Sequence, residues 1–365
     1  MAANKFELTD YQWFAVIVCA VLGAGITILP RTVAISAGRD GWLSIILAGA
    51  GACLFALLLW LLCRKFPTKT LPEISVAVLG RLLGTAVSVL YILYAFVLAG
   101  AIMRVFVEII DTWVLIWTPD YVFYLLLLGV TVYVARMGAT TLARLMEIIT
   151  LLTVVVFLIW LTPLGEFNSL HLLPVGAEGV VAIAEGALEA FFSFLGFEAL
   201  LVFYPLIANQ QKVLKVTLIA LVFITLLYAG NVILTFGVLG VEHTMLQKWP
   251  VISYLRVGSL PFARRVDTVV LFFWTAQIMG GAAVQYFAGT YSLAVLTGRR
   301  FHDIWTLVCW PAVFLVAAAP QSLGQVFKVV DLVGRWGGAL VLGIVLLLLA
   351  VAQVRGLDER GESAK

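Results

Sequence analysis

Charged residues are scarce in this sequence. Asp, Glu, Lys and Arg make up 12% of its 365 residues, whereas a soluble globular domain carries about 25%. Hydrophobic residues reach 63% and gather in runs long enough to cross a bilayer. The alternating segments of about ten residues that mark a membrane β-barrel do not dominate. The composition therefore excludes an ordinary soluble domain and predicts an all-α membrane protein.

Enzyme and metal-binding motifs are also missing. The sequence contains no Walker loop, no GxSxG, no HExxH and no nucleotide-binding fingerprint. Its four cysteines show no CxxC or Cys/His spacing, and its three histidines fall in loops without clustering. The net charge of +3 comes from basic residues in short loops, where they set membrane orientation. We expect no enzyme activity, no cofactor, no metal and no nucleic-acid partner.

Hydropathy windows of about twenty residues predict ten membrane-spanning helices within a single transmembrane domain covering residues 1–365. The predicted spans cover residues 11–36, 42–64, 85–116, 121–137, 142–162, 180–208, 213–240, 265–297, 303–320 and 335–354. Between them, the loop 241–264 is predicted to contain a short helix over the outer face. The segment 321–334 is predicted to form a second helix lying in the membrane interface.

The distribution of Lys and Arg predicts the orientation in the membrane. With the N-terminus inside, fourteen of these residues lie on the cytoplasmic side and seven on the outer side. The positive-inside rule therefore places both termini in the cytoplasm, with residues 355–365 as a cytoplasmic tail. Five spans precede residue 162 and five occupy residues 180–354, so the halves have opposite topology. We predict a 5+5 inverted repeat.

Two of the predicted spans are interrupted at matching positions in the two halves. Gly23, Gly25 and Pro30 lie inside the first, and Gly196 and Glu198 lie inside the sixth. A helix exposed to lipid cannot leave backbone groups unpaired. Paired interruptions of this kind indicate a central binding site in transporter-like folds.

The first interruption, Gly23-Ala24-Gly25-Ile26-Thr27, begins a new half-helix. Its N-terminus carries partial positive charge and free N–H groups, which suit a carboxylate such as that of an amino acid. The alternative is that the two glycines serve only close packing between helices.

The second interruption offers backbone carbonyls, two aromatic rings and a carboxylate. Its residues are Ser193, Phe194, Leu195, Gly196, Phe197 and Glu198. Free carbonyls suit an ammonium group, whereas the two phenylalanines either wall a pocket or face lipid. A carboxylate at this depth is rarely idle. We favour Glu198 as the acceptor of freed backbone N–H groups over direct contact with a ligand or proton.

A second set of charges is predicted to form a structural network. Arg104, Glu108 and Asp111 share one face of the third span, which favours an ion-paired stripe, with an outer gate as the alternative. Glu185 and Glu189 stand one turn apart on the sixth span, so one is protonated or paired with a cation. We predict that Arg104 is the cation that pairs with one of these two glutamates.

Several stretches, in this order and spacing, resemble the spore germination permease family, the B subunits of GerA-type nutrient germinant receptors in the amino acid–polyamine–organocation superfamily. They are LTDYQWF, GAGITILP, AGRDGWLSIILAG, IMRVFVEIIDTWVLIWTP and LGFEALLVFYPLI. The resemblance implies a LeuT-like fold with a ligand site between the first and sixth helices. The third and eighth helices would border it, through Ala101 and Thr290. It further implies small nutrient ligands, the lipid of the spore inner membrane, and assembly with A and C subunits.

The sequence departs from some proton-coupled members of the superfamily, which carry a lysine on the fifth helix. None stands between Leu142 and Thr162, so proton coupling by that route is not expected. Sodium coupling is the alternative, with backbone oxygens near Ala24 and Thr290 as the ligands of the cation. The leading hypothesis is a receptor subunit for a small neutral amino acid. The alternatives are a secondary active amino-acid transporter and an ion or water pathway.

Overall fold

The computed structural model describes residues 7–113, 117–260, 265–298 and 303–358. The structure is 84% helical. An isolated parallel β-bridge joins Leu8 and Ile207. The all-α prediction is therefore confirmed.

Most of the predicted spans appear as long apolar helices. Six segments are long and apolar enough to cross a membrane: Leu29–Lys65, Arg81–Trp113, Ala139–Glu166, Val213–Leu239, Val266–Leu296 and Gly324–Val354. A seventh is the bent pair Gly179–Phe194 and Phe197–Leu206, whose two parts make an angle of 51°. The remaining predicted spans correspond to shorter helices.

The α-helices are numbered in chain order. They are α1 (Asp10–Val21), α2 (Leu29–Ala37), α3 (Gly41–Lys65), α4 (Leu71–Leu79), α5 (Arg81–Trp113), α6 (Asp120–Arg136), α7 (Ala139–Ile159), α8 (Gly179–Phe191), α9 (Leu200–Phe203), α10 (Val213–Leu239), α11 (Val241–Leu246), α12 (Pro250–Val257), α13 (Val266–Leu296), α14 (Asp303–Val308), α15 (Trp310–Ala318), α16 (Leu323–Leu332) and α17 (Gly338–Val354).

Local sequence signals explain the start of the first broken span. Thr9 and Gln12 form a capping box, in which each side chain accepts the backbone N–H of the other residue. The preceding residue, Leu8, exchanges backbone hydrogen bonds with Leu206 and Ala208. These bonds fasten the beginning of the first broken span to the end of the second.

Both interruptions are visible in the backbone. After α1, Gly23 is extended, residues 24–27 form a 3-10 turn, and α2 then resumes at Leu29. After α8, a 3-10 turn over residues 192–194 leads to an extended Leu195 and to Gly196, whose φ is 130°. A second 3-10 turn over residues 197–199 leads into α9. The helical hydrogen-bond ladder is thus broken in both spans.

The prediction of an interfacial helix at residues 321–334 is wrong. α16 continues through a π-helical turn, Val333–Gly337, directly into α17. Two glycines make this course possible. A side chain on Gly334 would meet the ring of Phe192, and one on Gly337 would meet Tyr94. The helix therefore packs against the second broken span and against α5.

The long loop 241–264 contains two helices, α11 and α12, where a single short one was predicted. α12 packs inward, since Tyr254 is buried and its hydroxyl donates to the carbonyl oxygen of Trp160 at 2.5 Å. Residues 261–264 of the predicted loop, and residues 359–365 of the predicted tail, lie outside the described residues.

Candidate functional site

The two interruptions, the first break at residues 23–27 and the second break at residues 193–198, meet beside α10. The hydroxyl of Tyr228 lies 2.9 Å from the carbonyl oxygen of Val21 at the first break, and 2.9 Å from that of Ser193 at the second. A Cβ atom on Gly25 would stand 3.1 Å from Ser193 Oγ. The backbones of the two interrupted spans are therefore in close approach.

A cavity of about 110 Å³ lies at this meeting point, between the two breaks, α5 and the π-helical turn. It is lined by six residues that were predicted from the sequence: Gly23, Ala24, Gly25, Ala101, Ser193 and Leu195. The rest of the lining is mostly apolar, with Leu98, Ile102, Val105, Phe192 and Val333. Since a cavity of about 150 Å³ in another protein holds benzene, this cavity has room for a small ligand only.

Other predicted residues lie beside the cavity rather than on its surface. Thr27 donates its hydroxyl to the carbonyl of Ala24 at 2.7 Å, and the carbonyl of Ile26 accepts the side-chain amide of Asn231 at 3.0 Å. These two residues of the first break therefore shape the turn.

The two phenylalanines of the second break are fully buried. Phe194 meets Tyr228 edge-on at 5.2 Å between ring centroids, and Phe197 meets Phe55 in the same way at 5.4 Å. Neither ring lines the cavity and neither is exposed on the protein surface. Both instead hold the second break against its neighbours.

Glu198 closes the second break with its carboxylate. The side chain is 0% exposed. One oxygen accepts the backbone N–H of Gly196 at 2.7 Å, and the other accepts the hydroxyl of Tyr94 at 2.8 Å. The carbonyl of Gly196 accepts the amide of Gln285 at 3.2 Å. This geometry matches the backbone-capping interpretation, because both carboxylate oxygens are engaged by protein donors.

Thr290 was predicted to border the ligand site together with Ala24, but it is not among the residues that line the cavity. Its hydroxyl donates to carbonyls of its own helix, those of Tyr286 and Phe287. The residue of α13 that reaches the first break is Gln277, which lies about 20 Å before Thr290 at a rise of about 1.5 Å per residue. Its amide nitrogen lies 2.8 Å from the carbonyl oxygen of Leu22. The proposed sodium position between Ala24 and Thr290 therefore has no support.

The residues that sequence reasoning missed are polar groups on α10. Tyr228 contacts both breaks, and Asn231 bridges the carbonyl of Ile26 and the indole N–H of Trp160. The sequence does contain a signal for Asn231, because a single amide side chain in a long apolar run usually has a structural or functional role. The sequence did not indicate which carbonyls these side chains would reach.

The predicted charge network divides into two clusters. Arg104 is 4% exposed, pairs with Glu108 at 2.8 Å and Asp120 at 3.4 Å, and donates to the carbonyl of Pro320 at 3.1 Å. Among the described residues, its ion-pair partners do not include Asp111, although Asp111 lies on the same helix. Arg104 thus joins α5 to α6 and to the residues before α16.

The second cluster corrects the partner of the sixth-span glutamates. Glu189 pairs with Arg335 of the π-helical turn at 2.6 Å, and Arg335 also pairs with Asp331 at 2.6 Å. Glu185 and Glu189 line a separate apolar groove of about 770 Å³. Arg104 is therefore not their cation, because it lies in the first cluster on α5.

Loss of the Arg104 side chain should destabilise the protein. Arg104→Ala leaves Glu108 and the carbonyl of Pro320 without a buried donor, and we expect the free energy of unfolding to fall by about 1–3 kcal/mol. The double change Arg104→Leu with Glu108→Leu should recover part of that loss, since no unpaired carboxylate remains. Thermal unfolding of the purified variants measures both effects.

Asp111→Ala is the matched control, with an expected change within about 0.5 kcal/mol. Strictly additive losses in the Arg104 and Glu108 double-mutant cycle would show that the two residues do not interact.

Two interrupted helices around a small central cavity define an integral membrane protein of the transporter-like class. Residues 7–326 match the Spore germination protein family, and the chain belongs to it. It is 27% identical to spore germination protein YndE of Bacillus subtilis (strain 168), over 99% of this chain and 100% of the relative. It is 26% identical to spore germination protein B2 of the same organism, over 92% of both chains.

Solved structures agree with this class at the level of fold. The chain superimposes on a Na⁺-coupled sialic acid symporter with a TM-score of 0.69 and 12% identity, over 93% of this chain and 78% of the symporter. It superimposes on MhsT in complex with L-phenylalanine with a TM-score of 0.58 and 14% identity, over 93% of this chain and 88% of MhsT. These are LeuT-like folds. The similarity extends to nearly the whole chain.

Proposed function

We propose that this chain is the membrane subunit of a spore nutrient germinant receptor that binds a small neutral amino acid and triggers germination. The observation that carries the proposal is the cavity of about 110 Å³ lined by both helix breaks. Membership of the Spore germination protein family supplies the biological setting. The place of action is the inner membrane of the spore, in assembly with A and C subunits.

The lining suggests how an amino acid binds. Its carboxylate faces the N–H groups of Ala24 and Gly25 at the start of the resumed helical turn, since the N–H of Gly23 already donates to the carbonyl of Val21 at 2.7 Å. Its ammonium group faces the hydroxyl and backbone of Ser193. A small apolar side chain then lies against Leu98 and Ile102 of α5. The volume restricts the choice to amino acids with small side chains.

Signalling follows from the position of the ligand between the two broken spans. A ligand that contacts both breaks favours the conformation in which they are close, and this differential affinity is sufficient to shift the population. We further propose ten membrane spans in a 5+5 inverted repeat, with both termini in the cytoplasm. In this count α3 alone forms the second span, α1 with α2 forms the first, and α6 and the pair α14 and α15 form the fourth and ninth.

The alternative is a secondary active amino-acid transporter. It is supported by the superposition on a Na⁺-coupled symporter and on MhsT bound to L-phenylalanine. Proteoliposomes containing the purified chain alone distinguish the two. A receptor subunit binds neutral amino acids without accumulating them, whereas accumulation inside the vesicles would establish the transporter.

Gly25→Leu is expected to abolish ligand binding while leaving the protein folded. Gly25 lines the cavity, and even a methyl group there would stand 3.1 Å from Ser193 Oγ. The four carbons of leucine would fill most of the space available to ligand. The measurement is the thermal shift of the purified protein with a panel of small neutral amino acids.

Gly129→Leu is the control, because no atom lies within 4 Å of a Cβ at that position. Gly25→Ala covers the case in which the leucine variant fails to accumulate, and it should weaken binding to an intermediate degree. Normal binding by both Gly25 variants would show that the first break is a packing feature.

A further inference from the structure

The end of α1 concentrates negative charge in the centre of the protein. α1 stops at Val21. The N–H groups of Leu22 and Gly23 bond to the carbonyls of Val18 and Val21, whereas no following helical turn supplies N–H groups to the carbonyls of Cys19 and Leu22. The helix dipole adds partial negative charge at the same end. Transporters with interrupted helices bind Na⁺ or H⁺ at such unwound carbonyls and half-helix C-termini. The group that contacts the carbonyls at the end of α1 therefore determines whether a cation can bind there.

In this chain a side-chain amide occupies the position. The nitrogen of Gln277 on α13 lies 2.8 Å from the carbonyl oxygen of Leu22 and 3.3 Å from that of Cys19. A third carbonyl, that of Val18, is 3.5 Å away. An amide nitrogen has two hydrogens to donate, so it can satisfy two of these carbonyls at once.

The orientation of this amide is determined by its surroundings. Gln277 is 2% exposed, and its oxygen accepts the hydroxyl of Thr153 on α7 at 2.8 Å. Reversing the amide would direct its oxygen at the carbonyls of α1, where no donor is available. The nitrogen therefore faces α1, and α7 and α13 hold it there.

The other carbonyls of the two breaks also receive donors from the protein. The single hydroxyl hydrogen of Tyr228 is donated to the carbonyl of Val21 or to that of Ser193. Asn231 donates to the carbonyl of Ile26. Gln285 donates to that of Gly196. All of these side-chain donors are uncharged.

We infer that the amide of Gln277 takes the place of a coupling cation at the end of α1, so that the chain is stable and binds its ligand without Na⁺. A cation would have to displace two hydrogen bonds and an oriented amide to reach the same oxygens. This inference deepens the proposed function, and rests on it for the ligand, because a subunit that senses without accumulating its ligand needs no ion gradient.

Gln277→Glu is expected to make the thermal stability of the protein depend on Na⁺. Gln277→Glu replaces the donor with a carboxylate of nearly the same shape beside the carbonyls of Cys19 and Leu22. Carboxylate and carbonyl oxygens together suit a hard cation. We expect the thermal midpoint of this variant to be lowered in choline chloride and raised again by NaCl, increasing with the logarithm of Na⁺ concentration.

The experiment compares thermal midpoints of the purified full chain in choline, K⁺ and Na⁺ at matched ionic strength. Wild type should give the same midpoint in all three salts. Gln277→Leu should be lowered equally in all three, since it supplies neither a donor nor a charge. A Na⁺-specific rise in wild type that Gln277→Leu abolishes would overturn the inference, as would a folded Gln277→Glu with no Na⁺ response.

If the glutamate variant fails to fold, the wild-type midpoints in choline, K⁺ and Na⁺ still test the inference. No amino acid is added in these measurements, so they do not depend on the proposed function. That function fails separately, if wild type binds no small neutral amino acid in either choline or Na⁺.

Discussion

Gly196→Ala is expected to prevent the two broken helices from assembling and to abolish accumulation of the folded protein. Gly196 has φ of 130°, a conformation that residues with a Cβ rarely adopt. An added Cβ would lie 2.6 Å from the carbonyl carbon of Ala20 and closer still to its oxygen. Rotation of a side chain cannot relieve an overlap with backbone. We expect a loss of about 4 kcal/mol or more in the free energy of unfolding.

Gly23→Ala is the matched control at the other break. Its Cβ would meet nothing closer than the oxygen of Val21 at 3.9 Å, and its φ of −101° suits any residue. Immunoblots of isolated membranes and thermal unfolding measure the two variants side by side. Equal abundance and equal midpoints would show that the second break does not depend on a glycine.

Substitutions of Glu198 are expected to have graded effects, with alanine severe and glutamine mild. Alanine leaves the N–H of Gly196 and the hydroxyl of Tyr94 unpaired in a buried site and opens a void. Each unpaired group costs about 1–3 kcal/mol, so we expect a loss of about 3 kcal/mol or more. Glutamine keeps both bonds, because its oxygen accepts from Gly196 while its nitrogen donates to a reversed Tyr94 hydroxyl.

Nutrient dose–response curves for the two variants, with protein levels matched by immunoblot, test this order. Tyr94→Phe is a useful companion, since it removes one of the two donors and should fall between glutamine and alanine. A proton-carrying role predicts a different order, because glutamine cannot titrate. Equal and complete loss with glutamine and alanine would contradict the capping role and favour a proton-coupled transporter.

The interrupted spans were predictable because their signals are local. Glycine, proline and a buried carboxylate inside an apolar run conflict with a continuous helix in lipid. The structure places interruptions at Gly23 and at Gly196, as the sequence indicated. The course of residues 321–334 was not predictable in this way. Its helix is continuous because Gly334 and Gly337 pack against Phe192 and Tyr94, which lie far away in sequence.

The residues that line the cavity were partly predictable for the same reason. Gly23, Gly25 and Ser193 belong to the breaks themselves, so locating the breaks located them. Thr290 was misplaced because a long helix offers polar groups at many depths, and sequence alone does not indicate which depth faces the breaks. Gln277, on the same helix, is the residue that does.

Composition and local sequence pattern were sufficient to identify an all-α membrane protein with two interrupted helices. Long apolar runs predict helices, because a helix pairs its backbone groups within its own segment, and an interruption in such a run requires protein around it. The side chains that bond to the interrupted backbone, and the partners in each ion pair, depend on how the helices pack together. Tyr228 reaches Val21, and Arg335 rather than Arg104 reaches Glu189. Such bonds act over about 3 Å, and separation along the chain does not encode them.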